Sequence, residues 1–143
     1  MSERHVSRIV VDLLLERRNS TNSKTEILML LAEYLNNQYD LPGGHLEAGE
    51  DLYDAMIREA KEELGIEIER EDMQIIHIYH HFKKDLLKFV FKVKKFKNEI
   101  QNLEPEKCKE LKWLDINHLP DNTISGIRKE LENIKLEKTY SCD

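Results

Sequence analysis

Apolar residues alternate near the start of the chain. Ile9, Val11, Leu13 and Leu15 fall on one face of an extended segment rich in β-branched residues, which predicts a strand over residues 9–15. The polar run Asn19, Ser20, Thr21, Asn22, Ser23 predicts a loop, and the unbroken apolar run 27–32 a buried strand. Leu41, Pro42, Gly43 and Gly44 give the strongest chain-bending signal, because glycine reaches backbone conformations closed to other residues. Residues 51–64 have helix length and composition, with Gly65 placed as a C-cap. Strands follow over 75–82 and 87–93, joined by a turn at Lys83, Lys84 and Asp85. The second alternates cleanly, with Leu87, Phe89, Phe91 and Val93 set against Lys88 and Lys92. After a polar loop at 98–110, Leu111, Trp113 and Leu114 predict a short strand, and Pro120 and Asp121 open a helix over 123–134. Strands and two helices intermixed along the chain indicate a layered α/β fold.

Composition narrows the class of function. A chain of 143 residues is the size of one domain, with 22 Lys and Arg against 28 Asp and Glu, a net charge of −6. No basic surplus is present to bind duplex nucleic acid or an anionic membrane. An anionic substrate would therefore need a local attractor, and a divalent cation is the obvious one. The apolar stretch at 9–15 is too short to span a membrane, and it has no signal-peptide cleavage region. The two cysteines, Cys108 and Cys142, match no metal or redox spacing, which suits a reducing compartment, and the expected location is cytoplasmic.

Four of the five glycines (Gly43, Gly44, Gly49, Gly65) fall in one short stretch that also holds Glu47, Glu50, Arg58, Glu59, Glu62 and Glu63. A Glu-rich helix is usually just a solvated one. Helix geometry argues otherwise here. At about 100° per residue, Asp51, Asp54, Arg58 and Lys61 share one arc, the expected wet face. Glu59, Glu62 and Glu63 instead continue the stripe that Leu52, Ala55 and Met56 occupy two turns earlier. Two carboxylates about 6 Å apart repel by roughly 3 kcal/mol at an effective dielectric near 20. Arg58, on a neighbouring arc, has reach to compensate one of them. Hard oxygen ligands of this kind suit Mg²⁺, with Mn²⁺ as the alternative, and beside exposed backbone they form a phosphate-handling arrangement.

The spacing is also recognisable. Five residues separate Gly44 from Glu50, and seven separate Glu50 from Arg58–Glu59. Ala60, Lys61, Glu62, Glu63, Leu64, Gly65 and Ile66 then follow. This run resembles the signature of the Nudix hydrolases at every position, with Ala60 small for its aliphatic slot. Leu41 to Glu47 resembles the family's lead-in to that signature. Glu104, Pro105, Glu106, Lys107 and Cys108, followed by Trp113, resemble a segment of its nucleotide-cleaving members. The resemblance spans nearly the whole chain and implies one Nudix domain over residues 1–143, an α/β/α sandwich with a mixed sheet. It further implies that Glu59, Glu62 and Glu63 bind metal and act in catalysis, and that Gly44 lends its backbone carbonyl to the metal. Arg58 would orient a catalytic Glu, Glu50 would lie close by, and Glu59 is the first choice for general base.

The implied activity is metal-dependent hydrolysis of a nucleoside diphosphate linked to another group. A nucleoside triphosphate, standard or oxidised, cleaved to monophosphate and pyrophosphate is favoured, and the implied partner is this nucleotide, with neither duplex nucleic acid nor membrane. A homodimer is left open. Sugar nucleotides and dinucleoside polyphosphates are the rival substrates. A non-catalytic nucleotide-binding regulator is the rival class, although its mark would be a broken signature. Outside the signature, His77, His80 and His81 lack a third ligand at zinc spacing, and lining of the substrate site is the better functional reading. Lys92, Lys94, Lys95 and Lys97 read as a solvated strand edge, and Trp113 as core. One of Glu104, Glu106 and Glu110 is a candidate to add a carboxylate to the metal.

Overall fold

In the computed structural model, which describes residues 2–143, the first alternating segment forms β1 (Arg8–Leu14). The remaining elements are β2 (Glu16–Arg18), β3 (Thr25–Ala32), β4 (Gln38–Asp40), β5 (Gly43–His45), α1 (Leu52–Leu64), β6 (Met73–His81), β7 (Leu86–Val93), β8 (Cys108–Asp115), α2 (Ser125–Lys135) and β9 (Tyr140–Cys142). One sheet has the order β5-β1-β7-β6-β9 and is mixed: β1 runs parallel to β7, β6 runs parallel to β9, and the other pairs are antiparallel. In the second sheet β3 pairs antiparallel with β2, β4 and β8.

The period of two in β1 and β7 sorts their side chains between two cores. Val11, Leu13 and Phe91 pack with Ala55, Met56, Ala60 and Leu64 of α1. Leu14 and Val90 point the other way and pack with Ile127 and Leu131 of α2. The α/β/α sandwich expected from the sequence is the arrangement observed. Leu64 is fully buried, so Leu64→Ala would cost roughly 2–5 kcal/mol.

α1 starts where a capping box places it. Asp51 accepts from the Asp54 N–H, the Asp54 side chain accepts from the Asp51 N–H, and Arg70 clamps both carboxylates. Gly65 ends the helix in the left-handed region (φ 71°), its N–H donating to the Lys61 carbonyl.

Three expectations are corrected. Gly43 and Gly44 are extended residues of β5, not a bend, and neither has a positive φ. They pair with Asp12 and Val11, and glycine is required there for space. β8 begins at Cys108, inside the stretch read as loop. Only one of its edges is paired, and Lys109, Glu110 and Lys112 are exposed there, Lys109 at the register shift opposite Leu31 and Ala32, so polar residues fit it. The last helix starts at Ser125, two residues later than expected, because the Thr123 N–H is still engaged in a turn with the Pro120 carbonyl. β2, β4 and β9 were not anticipated.

Candidate active site

β5 and α1 carry the signature residues. β5 lies at the edge of the mixed sheet beside β1, and α1 runs back across the same end of that sheet. Between them lies a cavity of about 470 Å³, lined by Gly43, Gly44, Glu59, Glu63, Glu104 and Lys107 among others. Contact is close. A Cβ built on Gly44 would stand under 3.0 Å from the carboxylate of Glu59, and one on Gly43 under 3.0 Å from the Val11 carbonyl. The Gly43 N–H donates to Glu63 Oε1 at 2.8 Å, which aims that carboxylate along the strand.

Arg58 organises the other side of the helix. It donates to Glu50 through Nη2 at 2.7 Å and Nε at 3.0 Å, to Glu59 at 2.8 Å and to Glu62 at 3.3 Å. It also donates to the His45 carbonyl at 3.0 Å. This corrects the expectation that Arg58 lies on the wet arc and compensates one Glu. Its side chain folds back over the loop between β5 and α1, is only 21% exposed, and holds four carboxylates if the longer Glu47 contact is counted. Mutual hydrogen bonding holds the Glu50 carboxyl below its ordinary pKa and the guanidinium above its own.

The three candidate carboxylates of α1 are not equivalent. Glu59 and Glu63 face the cavity, whereas Glu62 is 54% exposed and bends toward Arg58. Among the described residues no three His, Cys, Asp or Glu side chains are gathered tightly enough to form a ready ligand set. Burial raises the Glu59 pKa against the pull of Arg58. Burial and then the Glu59 charge push Glu63 up to about 9. From the loop before β8, Glu104 adds to the repulsion felt by both and is paired with Lys107 at 3.2 Å. Glu106 also lines the cavity, while Glu110 accepts a hydrogen bond from the Tyr39 hydroxyl.

The histidines lie elsewhere, and the substrate-lining reading is corrected. His77 is fully buried between the Lys138 carbonyl and the Ser141 hydroxyl, where it ties β9 to the sheet. His80 and His81 are on the same strand, and neither lines the cavity between β5 and α1. Trp113 packs against the α1-side core under the Arg17 guanidinium, as a core residue would. Cys108, the last residue of the segment 104–108 singled out by resemblance, also lines the cavity, whereas Tyr34 and Asn102 line it without any local motif to mark them.

Comparison with known proteins gives a consistent picture. The NUDIX domain family matches residues 7–134. The human protein nucleoside diphosphate-linked moiety X motif 6 is 33% identical over 89 residues, which is 59% of this chain but only 28% of that protein. The fold is similar to that of a MutT NUDIX hydrolase from Burkholderia pseudomallei, with TM-score 0.77 and 24% identity over 90% of this chain and 98% of that one. It is similar also to an Ap4A hydrolase from C. elegans, with TM-score 0.64 and 22% identity over 89% and 96% of the two chains. No helix among the described residues is long and apolar enough to cross a membrane.

Proposed function

The chain belongs to the NUDIX domain family, and from that premise we propose that it is a divalent-metal-dependent pyrophosphohydrolase acting on a nucleoside diphosphate linked to a further group. A nucleoside triphosphate is the favoured substrate. The observation that carries this reading is the placement of Glu59 and Glu63, half-buried and facing one cavity beside the close-packed backbone of Gly43 and Gly44.

The donor set fits a divalent cation. Two carboxylates whose pKa values are raised by burial, that of Glu63 also by the Glu59 charge, favour a counter-charge, and hard oxygen donors suit Mg²⁺ or Mn²⁺. Glu59, Glu63 and the Gly44 carbonyl would hold it, joined by Glu62 when that side chain leaves Arg58. Such an ion would acidify water and stabilise charge on phosphoryl oxygens. In this reading Glu59 takes the proton of the attacking water. Arg58, bonded to Glu59 and anchored by Glu50 and the His45 carbonyl, holds that carboxylate in position. The Gly43 N–H fixes the rotamer of Glu63. Lys107, in the cavity lining, is placed to meet a phosphate oxygen once it leaves Glu104.

Incubating the protein with nucleoside triphosphates, sugar nucleotides and dinucleoside polyphosphates plus Mg²⁺, and resolving products by chromatography, tests the reading. Monophosphate and pyrophosphate from a triphosphate support it. No cleavage of any diphosphate-linked nucleotide removes it.

A further inference from the structure

α2 carries a carboxylate where its pattern calls for an apolar residue. Ile127, Glu130, Leu131 and Ile134 form the stripe that faces the sheet, and Glu130 is as completely buried as Ile127 and Leu131. Glu130 Oε2 lies 3.1 Å from the Lys88 ammonium of β7, and Asp12 Oδ2 of β1 lies 3.1 Å from the same nitrogen. Asp40 of β4 adds a third carboxylate, close enough to feel both Asp12 and Lys88. From β6, Tyr79 faces the group and donates its hydroxyl to Asp143 at 2.6 Å, and His81 follows two residues on. Lys129 of α2 is exposed and pairs with Asp143 at 3.5 Å, so it leaves Lys88 as the one cation within ion-pair distance of Glu130 among the described residues.

Packing alone does not account for this. An apolar residue at position 130 would hold the helix at least as stably as a buried ion pair. One ammonium here faces three carboxylates, and with all of them ionised two negative charges would stand uncompensated between α2 and the sheet. A protein interior relieves such a deficit by taking up protons. Asp12 and Asp40 line a cavity of about 290 Å³ beside β5, and Asp40 accepts the Leu41 N–H at 2.8 Å. Glu130 has neither kind of relief. It lies outside that lining, and its Oε1 is closed from solvent without a partner. A hydroxyl without an acceptor costs less there than a full charge without a donor. Burial, opposed by Lys88 and reinforced by Asp12, holds the Glu130 carboxyl above the usual range, in keeping with that placement of the proton.

We propose that Glu130 docks α2 on the sheet as a neutral acid, and that its ionisation at alkaline pH loosens α2 together with β9, a pH-sensitive clamp built into the fold. The folded state binds this proton more tightly than the unfolded chain does. The stability it contributes is therefore complete below the ordinary carboxylate range and is lost as pH rises through the raised folded value. β9 follows α2 because Asp143, next to it, is tied to Lys129. The loosening also reaches the signature strand, since Asp12 is paired with Gly43 of β5. None of this depends on the hydrolytic chemistry.

Hydrogen exchange of the intact protein at pH 5 and pH 9, expressed as protection factors so that the intrinsic pH dependence of exchange cancels, tests the clamp. Protection of α2 and β9 is expected to fall at least about tenfold between the two, the factor that one unit of raised pKa supplies. Glu130→Gln keeps the volume and cannot ionise, so its α2 protection should change by less than about threefold. Glu63→Gln, which removes the titrating carboxylate of α1, should still show the full fall at α2. Constant α2 protection in the natural protein, an equal fall in Glu130→Gln, or loss of the fall in Glu63→Gln overturns the proposal. If Glu130→Gln does not fold, the carboxyl carbon of Glu130 followed by NMR in the natural protein decides: a midpoint above the ordinary carboxylate range supports the clamp, and one within that range overturns it.

Discussion

The guanidinium of Arg58 meets the carboxylate of Glu50 through two hydrogen bonds, at 2.7 and 3.0 Å, and its remaining nitrogen reaches Glu59 at 2.8 Å. Glu50 thus anchors the group that positions Glu59. Lysine carries the charge but not the fork. Arg58→Lys should lower kcat by at least about tenfold while the protein stays folded, and Glu50→Gln should do the same by loosening Arg58. Steady-state kinetics with a melting curve for each variant checks this. Turnover within twofold of the natural protein for both would remove the positioning role.

The two adjacent glycines should respond differently to alanine. At Gly43 the new Cβ meets the Val11 backbone carbonyl, which cannot move without shifting β1, so Gly43→Ala should destabilise by roughly 1–3 kcal/mol. At Gly44 the nearest atoms it meets are the carboxylate end of the Glu59 side chain, which can swing away. Gly44→Ala should therefore keep most of its stability and lose most of its turnover. Chemical denaturation paired with an activity assay separates the two effects.

Most of the fold was legible because its main elements advertise themselves. The alternation in β1 and β7, and the capped stripe of α1, are strong local patterns. The short strands β2, β4, β5 and β9 were not legible, since three polar or glycine residues carry no period and gain strand geometry only from their neighbours. The signature spacing brought Glu59, Glu63 and Gly44 together on the page as the fold does in space. It did not reveal that Arg58 leaves the wet arc, because a long side chain goes where its partners are. Nor could it show Asp12, Asp40, Lys88 and Glu130 as a group, because they come from four separate elements and only tertiary packing joins them.

Glu63 makes stability depend on pH and metal together. Its folded pKa near 9 lies above the ordinary carboxylate value of 4.5, so the folded state binds the proton more tightly than the unfolded chain. Its contribution to stability is full below the unfolded pKa and is lost as pH rises from about 4.5 to about 9. The metal-free protein should melt at falling temperature across that window, and Glu63→Gln should flatten the trend. Saturating Mg²⁺ should oppose the fall by binding the ionised, folded form. Differential scanning calorimetry between pH 5 and 9, with and without chelator, reads this directly (a rising melting temperature in the metal-free protein would contradict it).

The carboxylates of α1 should also rank by their exposure. Glu59→Gln and Glu63→Gln should each cut kcat by at least about 100-fold, the usual scale for losing a general base or a charge at the reacting centre. Glu62 is mainly exposed and held by Arg58, so Glu62→Gln should cost less, about tenfold. Equal losses at all three would mean that Glu62 swings fully into the site with substrate.

The most direct test of the central claim is a Mg²⁺ titration of the natural protein and of Glu63→Gln, reading melting temperature and triphosphate hydrolysis on the same samples. If these carboxylates hold the metal that drives hydrolysis, the natural protein will be inactive after chelation. It will then gain melting temperature and turnover over the same Mg²⁺ range, while Glu63→Gln gains little of either. Full turnover in the chelated natural protein, or a Glu63→Gln variant whose turnover follows the same Mg²⁺ curve, would contradict the account.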